Sequence, residues 1–269
     1  MKKVSAYIIA YNEEEKIRAA VNSVFWADEI VVVDSHSQDN TAKIAEEMGA
    51  RVVQVEFAGF GLLRNQAMAA CSHEWIFSLD SDERCTPEAR DEILAVLRAD
   101  GPADAYYVPR RNFFMGRWIN HSGFYPDYRQ PQLFRKGALH FQPDAVHERY
   151  EIRAGASIGY LRKPIWQKPY KDFAEIQHKA NRYSSLGAEK LGQAGRAATM
   201  GTALSHALWA FVQIYVLKKG FLDGWAGFMI AFGNFEGTLY KYAKLHELQS
   251  NWRDPETPPL FRQETPASG

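Results

Sequence analysis

Four short apolar runs, each followed by a polar cluster and then by a segment of helical spacing, organise the first hundred residues of the chain. Val4-Ser5-Ala6-Tyr7-Ile8-Ile9-Ala10 reads as a buried strand and residues 13–24 as a helix. Residues 29–33 carry the second strand pattern, which closes on Asp34. A short helix over residues 41–48 follows, with Asp39 and Thr41 as cap candidates and Gly49 as its stop. Residues 51–55 and 62–70 repeat the strand and the helix. Trp75-Ile76-Phe77-Ser78-Leu79 and a helix over residues 87–97 complete the series, with Thr86 at the N-cap and Pro87 at the first helical position. Strands alternating with helices at this spacing predict an α/β fold with a mainly parallel sheet covered on both faces. Continuous apolar runs agree, because a strand buried on both faces has no solvent side to keep polar.

The pattern changes after residue 104. Short strand-like pieces (residues 105–108, 132–134 and 156–161) alternate with aromatic, charged and Pro-containing loops, the kind of segment that selects substrates on a rigid scaffold. Residues 171–191, 197–217 and 221–248 have helical spacing, with the last two separated by Lys218-Lys219-Gly220. Residues 254–269 form a polar, Pro-rich end.

Composition adds exclusions. Lys plus Arg and Asp plus Glu number 32 each, so no global field recruits nucleic acid or an anionic surface, and any anion site is local. Cys71 and Cys85 form neither a disulfide framework nor a metal spacing, as expected of a reducing compartment. The N-terminus lacks the apolar core of a secretory signal. No run reaches about 20 uninterrupted apolar residues, and residues 200–217 suit lying on a membrane better than crossing one. The eight histidines show no zinc-binding spacing.

The densest chemistry is Asp80-Ser81-Asp82-Glu83, directly after the fourth strand. Two carboxylates separated by one small residue suit a hard divalent cation that shares its shell with phosphates. Three further polar clusters also follow strand ends: Tyr11-Asn12-Glu13, the segment from Asp34 to Asp39, and the segment from Gly59 to Asn65 with Arg64 in it. A parallel sheet gathers such ends on one edge, where ligands bind. Ring, carboxylates, Arg and acidic pair together suit a nucleoside diphosphate.

These four blocks in this order resemble the family 2 inverting glycosyltransferases of GT-A fold, with Asp80-Ser81-Asp82 as the DxD motif. Val146-His147-Glu148 and the segment from Tyr215 to Gly224 are similar to one branch, the bacterial lipopolysaccharide core β-glucosyltransferases of the WaaE/KdtX type. The resemblance implies a catalytic domain over residues 1–168, with a donor half (1–104) and an acceptor half (105–168). A helical extension (169–253) and a flexible tail (254–269) follow. It implies a UDP-sugar donor held by Tyr11, Glu13, Asp34, Arg64, Asp80 and Asp82, with Asp82 as the direct ligand to Mg²⁺ or Mn²⁺. Glu148 is the implied base, with Asp144 in reserve, and Arg129, Arg135 and His147 are candidates for acceptor or phosphate contacts. The implied acceptor is a heptose of lipopolysaccharide core, reached from the cytoplasmic side of the inner membrane.

Plainer roles compete for several of these residues. Asp34, Asp39 and Thr41 also suit turn and cap chemistry, and Glu83 suits a charge approaching the next helix. The Arg-rich and aromatic segment 110–135 fits a sugar platform or a loop packed on its own rings. The apolar helices of the last third fit a packed pair, a membrane-lying face or an oligomer contact. Rival functions are the same transfer onto another lipid-linked, polysaccharide or protein acceptor, a sugar nucleotidyltransferase, and a catalytically silent nucleotide-sugar scaffold.

Overall fold

A computed structural model describes residues 1–142, 149–170 and 172–250. The chain opens β1 (Val4–Ala10), α1 (Glu14–Ser23), β2 (Glu29–Asp34), α2 (Thr41–Glu47), β3 (Arg51–Gln54), α3 (Phe60–Ala70) and β4 (Trp75–Asp80). A two-residue strand, β5 (Glu83–Arg84), precedes α4 (Pro87–Ala99), which Thr86 caps by accepting from the Ala89 N–H. Short strands follow: β6 (Ala105–Tyr107), β7 (Arg110–Phe114), β8 (Arg117–Trp118), β9 (Pro131–Arg135), β10 (Leu139–Phe141), β11 (Tyr150–Ile152), β12 (Ile158–Tyr160) and β13 (Ile165–Gln167). Helices α5 (Phe173–Gln193), α6 (Met200–Val212) and α7 (Gly224–Gln249) close the described chain.

Seven strands form the main sheet in the order β12-β6-β9-β4-β1-β2-β3. The β1–β2, β2–β3, β1–β4 and β6–β12 pairs are parallel, whereas β9 runs antiparallel to both β4 and β6. All seven residues of β1 are buried, as its unbroken apolar run required. One core packs Ile8, Val32, Trp75 and Phe77 against Ile17 and Val21 of α1 and Ile93 of α4. On the other face, Tyr7, Val31, Val33 and Ile76 meet Leu63 and Ala67 of α3. Each such fully buried side chain contributes about 1.5–3 kcal/mol. The result is a mixed, mainly parallel GT-A-like sheet flanked by helices, with a helical C-terminal region.

From β1 the chain steps outward through β2 to β3, then returns to place β4 on the opposite side of β1. The strand order therefore reverses at β1, the switch point beyond whose carboxyl edge open α/β sheets bind ligands. In register, Ala10 pairs with Asp34 and Ile9 with Asp80, so the loop after β1 lies between the two acids.

A second, four-stranded sheet (β5-β13-β7-β8) hangs from the residues after β4 and was not legible as strands. Its β7 buries Arg110 and Asn112 and leaves Arg111 and Phe113 half-buried, the inverse of the usual alternation. The rings of segment 110–135 pack largely on their neighbours: Arg111 lies over Trp118 at 4.6 Å, and Trp118 meets Tyr125 at 5.4 Å. Both cysteines are buried free thiols.

The C-terminal helices differ from expectation at their joints. The α6 helix begins at Met200 behind a capping box on Thr199, then widens into a π-helical turn over Gln213–Leu217. Lys219 takes a left-handed φ of 55°, and a 3₁₀ turn over Gly220–Asp223 leads into α7. Close approach explains two glycines here. A Cβ at Gly227 would sit 1.9 Å from the Gly220 carbonyl oxygen, and one at Gly220 would sit 2.8 Å from that of Ile214. Asp223, buried at the head of α7, fastens this joint to the loop after β8. It accepts from the backbone N–H of Asn120 at 3.1 Å, from that of His121 and from Ser122 Oγ at 2.8 Å.

Candidate active site

The two loops that follow β1 and β2 are laced together by side chains. Asn12 N–H donates to Ser37 Oγ at 2.8 Å, and Gln38 N–H donates back to Asn12 Oδ1 at 2.8 Å. Glu13 N–H donates to Thr41 Oγ1 at 2.7 Å, and Glu14 accepts from Asn40 through its N–H and its side-chain amide. Asp39 accepts from the Thr41 N–H at 2.9 Å and from Thr41 Oγ1. It thereby orders the turn before α2; the N-cap position itself falls to Asn40, without a side-chain cap bond. Asp34 is fully buried, and its carboxylate accepts from the Ser37 N–H at 2.9 Å and from Ser37 Oγ at 2.5 Å. The turn role expected of Asp39 and Thr41 is thus shared by Asp34. Tyr11 projects from this preorganised edge with 57% of its surface exposed, a free ring face beside the switch point. Glu13 is half-buried and pairs with Lys16 at 3.1 Å.

Around β4 the polar groups are stacked inward. Arg64 is 2% exposed, and its Nη2 lies 2.9 Å from Asp80 Oδ1 and donates to Oδ2 at 3.2 Å. The guanidinium also sits over the Phe141 ring at 5.6 Å. Arg64 therefore holds Asp80 from below rather than presenting a charge on a helix surface. Its place on the buried stripe with Gly61, Ala67 and Met68 of α3 was a readable signal for this. Asp80 N–H in turn donates to Glu83 Oε2 at 3.0 Å.

Glu83 is the centre of the support beneath the acidic turn. It is buried, not a charge approaching a helix, and it pairs with the equally buried Arg110. Gln132 Nε2 donates to it at 3.0 Å. Burial pushes the Glu83 carboxyl up to about 7; Arg110 opposes that rise, and Asp80 and Asp82 reinforce it. Buried ions persist only with partners that satisfy them, and here the partners come from β7 and β9. Sequence reasoning did not bring Arg110, Gln132 or Gln167 to the site: Arg110 and Gln167 lie on strands too short and too polar to read, and the strand that carries Gln132 was read without its pairing to β4.

Asp82 stands above this layer. Gln167 Nε2 donates to its carboxylate oxygens at 3.2 and 3.4 Å. Burial and then the charge of Asp80 raise its carboxyl above the ordinary range, against the Gln167 hydrogen bond and the charges of Lys16 and Lys179. Gln167 Oε1, Ser35 Oγ and the Tyr7 hydroxyl are buried without a hydrogen-bond partner. Native interiors leave few such atoms unsatisfied; Ser35 and Gln167 lie at this edge, while Tyr7 stands mid-strand on β1 opposite Ser78. Among the described residues no three His, Cys, Asp or Glu side chains form a closed metal cluster. Asp80 and Asp82, the first paired with Arg64 and the second held by the Gln167 amide, nevertheless fit a Mg²⁺-like ion, which takes one or two protein carboxylates and completes its shell with phosphates and water.

The remaining candidates separate. Arg129 is half-exposed and pairs with Asp127 at 2.8 Å. Arg135 lies beside Trp75 at the start of β4, over its ring at 4.4 Å, and pairs with Glu74 and Asp100. It belongs to the amino edge of that strand, whereas Asp80 ends the same strand, so the structure does not bring Arg135 to the cluster. Asp144, His147 and Glu148 lie outside the described residues. Their flanks do not: Gln142 N–H donates to the Arg149 carbonyl at 2.8 Å, and Asn65 Nδ2 on α3 donates to Phe141 O at 2.7 Å.

A groove of about 520 Å³ runs between α5, α7 and the second sheet. Phe114, Phe124, Tyr170, Ile176 and Met229 supply apolar wall, and Lys179 stands on its rim. Lys179 pairs with Glu175 at 2.8 Å, and Glu175 reaches Lys16 at 3.5 Å, which ties the head of α5 to α1.

Comparison with known proteins places this edge in a family. Residues 5–165 match the model of glycosyl transferase family 2, more than half of the chain, a span that holds the cluster residues from Tyr11 to Gln132 and ends two residues before Gln167. The chain belongs to glycosyltransferase family 2. An uncharacterized glycosyltransferase of Rickettsia felis is 29% identical over 92% of this chain and 90% of its own length. The lipopolysaccharide core biosynthesis glycosyltransferase LpsC of Rhizobium meliloti is 25% identical over 91% of this chain and 92% of its own. A structure of glucosyl-3-phosphoglycerate synthase from Mycobacterium tuberculosis, with Mn²⁺, UDP-glucose and phosphoglyceric acid, is 27% identical. That likeness has a TM-score of 0.37 and covers 41% of this chain and 44% of that one.

Proposed function

We propose that this glycosyltransferase moves glucose, with inversion, from UDP-glucose to a heptose of lipopolysaccharide inner core at the cytoplasmic side of the inner membrane. The observation that carries the reading is the convergence of Asp80 and Asp82 on the β1/β4 switch point, in a family 2 chain, beside an exposed Tyr11 and two loops locked by Asp34 and Asn12. The lipopolysaccharide role is supported by similarity to LpsC along most of both chains.

In this reading Tyr11 stacks on the uracil and the Asp34 turn faces the nucleoside. Asp80, oriented by Arg64 and by the Glu83 bond to its N–H, contacts ribose or the donor sugar. Asp82 is the ligand that would hold Mg²⁺ or Mn²⁺. Such a cation supplies charge neutralisation to the departing diphosphate. Preorganisation is the contribution of Arg64, Glu83, Arg110 and Gln167, which fix the two acids before any substrate arrives. Inversion requires one in-line displacement, with a base across the sugar from the leaving group. Glu148 is proposed for that proton, with Asp144 in reserve and His147 contacting phosphate or a neighbour. Arg129 is the remaining candidate for an acceptor phosphate, and the α5–α7 groove is the proposed approach for the acceptor.

Mass spectrometry of lipopolysaccharide core from a strain lacking this protein tests the reading. Loss of one hexose from the core is expected, restored by the wild-type chain and not by Glu148→Gln. An unchanged core removes the acceptor assignment, and a Glu148→Gln protein with near-normal turnover removes the base.

A further inference from the structure

The α6–α7 pair is apolar in the wrong direction for a helix pair exposed only to water. On α6 the residues turned towards α7 are small: Ala203 and Ala207 are buried. The large ones face out, with Leu204 49%, Leu208 52%, Trp209 57% and Val212 37% exposed. Leu204, Leu208 and Val212 recur every four residues and therefore form one stripe. The π-helical turn and the joint continue it, with Leu217 60%, Phe221 49%, Leu222 53% and Trp225 63% exposed. Burying side chains of this size is worth about 1.5–3 kcal/mol each, so leaving a contiguous row of them in water is costly unless something covers it.

Charge identifies the cover. Between Met200 and Phe235 the only Asp, Glu, Lys or Arg side chains are Lys218, Lys219 and Asp223. Asp223 is buried in its clamp on the loop after β8, while both lysines are exposed at the tip of the hairpin. Among the described residues from Met200 to Phe235 the exposed formal charge is thus positive, and the one acid, Asp223, is buried. Arg117 adds to it, since its guanidinium lies beside Gly224, and Met115, 48% exposed, stands on the same β7–β8 turn. Tryptophan and phenylalanine flanked by lysine are the side chains that seat at the headgroup level of a bilayer. A face joined to a second copy of itself would bring these cations together instead.

We propose that the outer stripe of α6, with the Lys218–Trp225 joint, docks on the surface of an anionic bilayer. The rings and leucines enter the headgroup–acyl boundary, and Lys218 and Lys219 meet lipid phosphates. The Asp223 clamp and the Gly220–Gly227 contact hold the tip rigid, so the orientation is set before contact. Residues 200–217 have the length and hydropathy (1.3 over 18 residues) of a helix that crosses a membrane. Crossing would draw in α7, which packs along α6 and carries Glu236, Lys241 and Lys244, and such charges inside a bilayer are expensive. This inference deepens the proposed function, on whose membrane-side acceptor it rests, by naming the face of the chain that meets the bilayer.

Co-sedimentation of the full chain, without nucleotide sugar, with vesicles of phosphatidylcholine alone and of equimolar phosphatidylcholine and phosphatidylglycerol tests it. The wild-type chain is expected to pellet with the anionic vesicles. Lys218→Gln with Lys219→Gln lowers that partition about tenfold or more, and Leu222→Ser with Trp225→Ser abolishes it, with UDP binding retained as the check on folding. Binding to neither vesicle type overturns the proposal, as does retention of the anionic partition by the serine variant. A stable dimer that the serine variant dissociates would assign the face to a second copy instead. Retention of the chain in membranes after alkaline carbonate extraction would show a spanning helix and likewise refute docking. None of these outcomes depends on the donor or acceptor, so failure here leaves the transferase reading standing.

Discussion

Removing either member of the Glu83–Arg110 pair should cost far more than removing both. Glu83 is 1% exposed and accepts from Arg110, from Gln132 Nε2 and from the Asp80 N–H. Glu83→Gln keeps the volume but leaves the Arg110 guanidinium, also 1% exposed, without its counter-ion. Its Nη1 already lacks a hydrogen-bond partner, so the loss adds to an unsatisfied group. Arg110→Met strands the carboxylate in the same way. Breaking a buried pair by deleting one partner costs about 3–5 kcal/mol, whereas replacing both ions is often close to neutral. The single variants should therefore lose about 3–5 kcal/mol each and the double variant about 2 kcal/mol or less, a coupling of several kcal/mol. Urea unfolding followed by circular dichroism reads this directly. With a slope of about 2–3 kcal/mol/M, the single variants shift the midpoint down by about 1–2.5 M. UDP titration calorimetry supplies the functional arm: Glu83→Gln, which disturbs the acceptor of the Asp80 N–H, should weaken UDP binding in protein that is still folded. Additive losses in the double variant, or single losses under about 1 kcal/mol, would refute the reasoning that this pair is a desolvated unit supporting the acidic turn.

Three further outcomes follow from the same geometry. Arg64→Met leaves Asp80 without its buried partner and should cost about 2–4 kcal/mol in urea unfolding while lowering transfer from UDP-glucose, and Arg64→Lys should recover only part of each. Asp223→Ala removes the acceptor for two backbone N–H groups and Ser122 Oγ; unfolding should show a loss of about 2–4 kcal/mol, with faster proteolysis at the joint between α6 and α7. On the acid side, Glu29 is the group to watch. Burial opposes its ionisation, but bonds from Ser5 Oγ, Arg51 and Ser72 hold it down to about 2, against an ordinary 4.5. A depressed folded-state value stabilises above about 4.5 and is lost as pH falls towards 2. Thermal melts should therefore show the wild-type advantage over Glu29→Gln shrinking by about 1–2 kcal/mol between pH 6 and pH 3, after allowance for screening of a partly exposed group.

The first hundred residues were readable because fully buried parallel strands leave unbroken apolar runs, and β1, β2 and β4 begin where those runs begin. The carboxyl-edge residues were readable for the same reason: they are where the runs stop. What the sequence concealed is the layer beneath them. Strand β7 turns Arg110 and Asn112 inward, so its pattern is inverted, and β5 and β8 have two residues each, too few for any period to show. Arg64 read as a donor contact because it stands in the polar segment after β3; its place on the buried stripe of α3 signalled burial, but its partner, Asp80, is distant by 16 residues in sequence. Arg135 read as a phosphate clamp because composition does not say which end of a strand a residue occupies. Pairing of β9 with β4 decides that, and it is antiparallel.

The central claim is that Asp80 and Asp82 form the diphosphate end of a metal-assisted nucleotide-sugar site at the β1/β4 edge. Calorimetric titration of UDP into the wild-type chain and into Asp82→Asn, with and without Mn²⁺, tests it most directly. Tight binding that requires Mn²⁺ in the wild-type chain, and loses that requirement together with at least tenfold affinity (about 1.4 kcal/mol) in Asp82→Asn, is the predicted result. UDP binding that is indifferent to Mn²⁺ and unchanged in Asp82→Asn would contradict it.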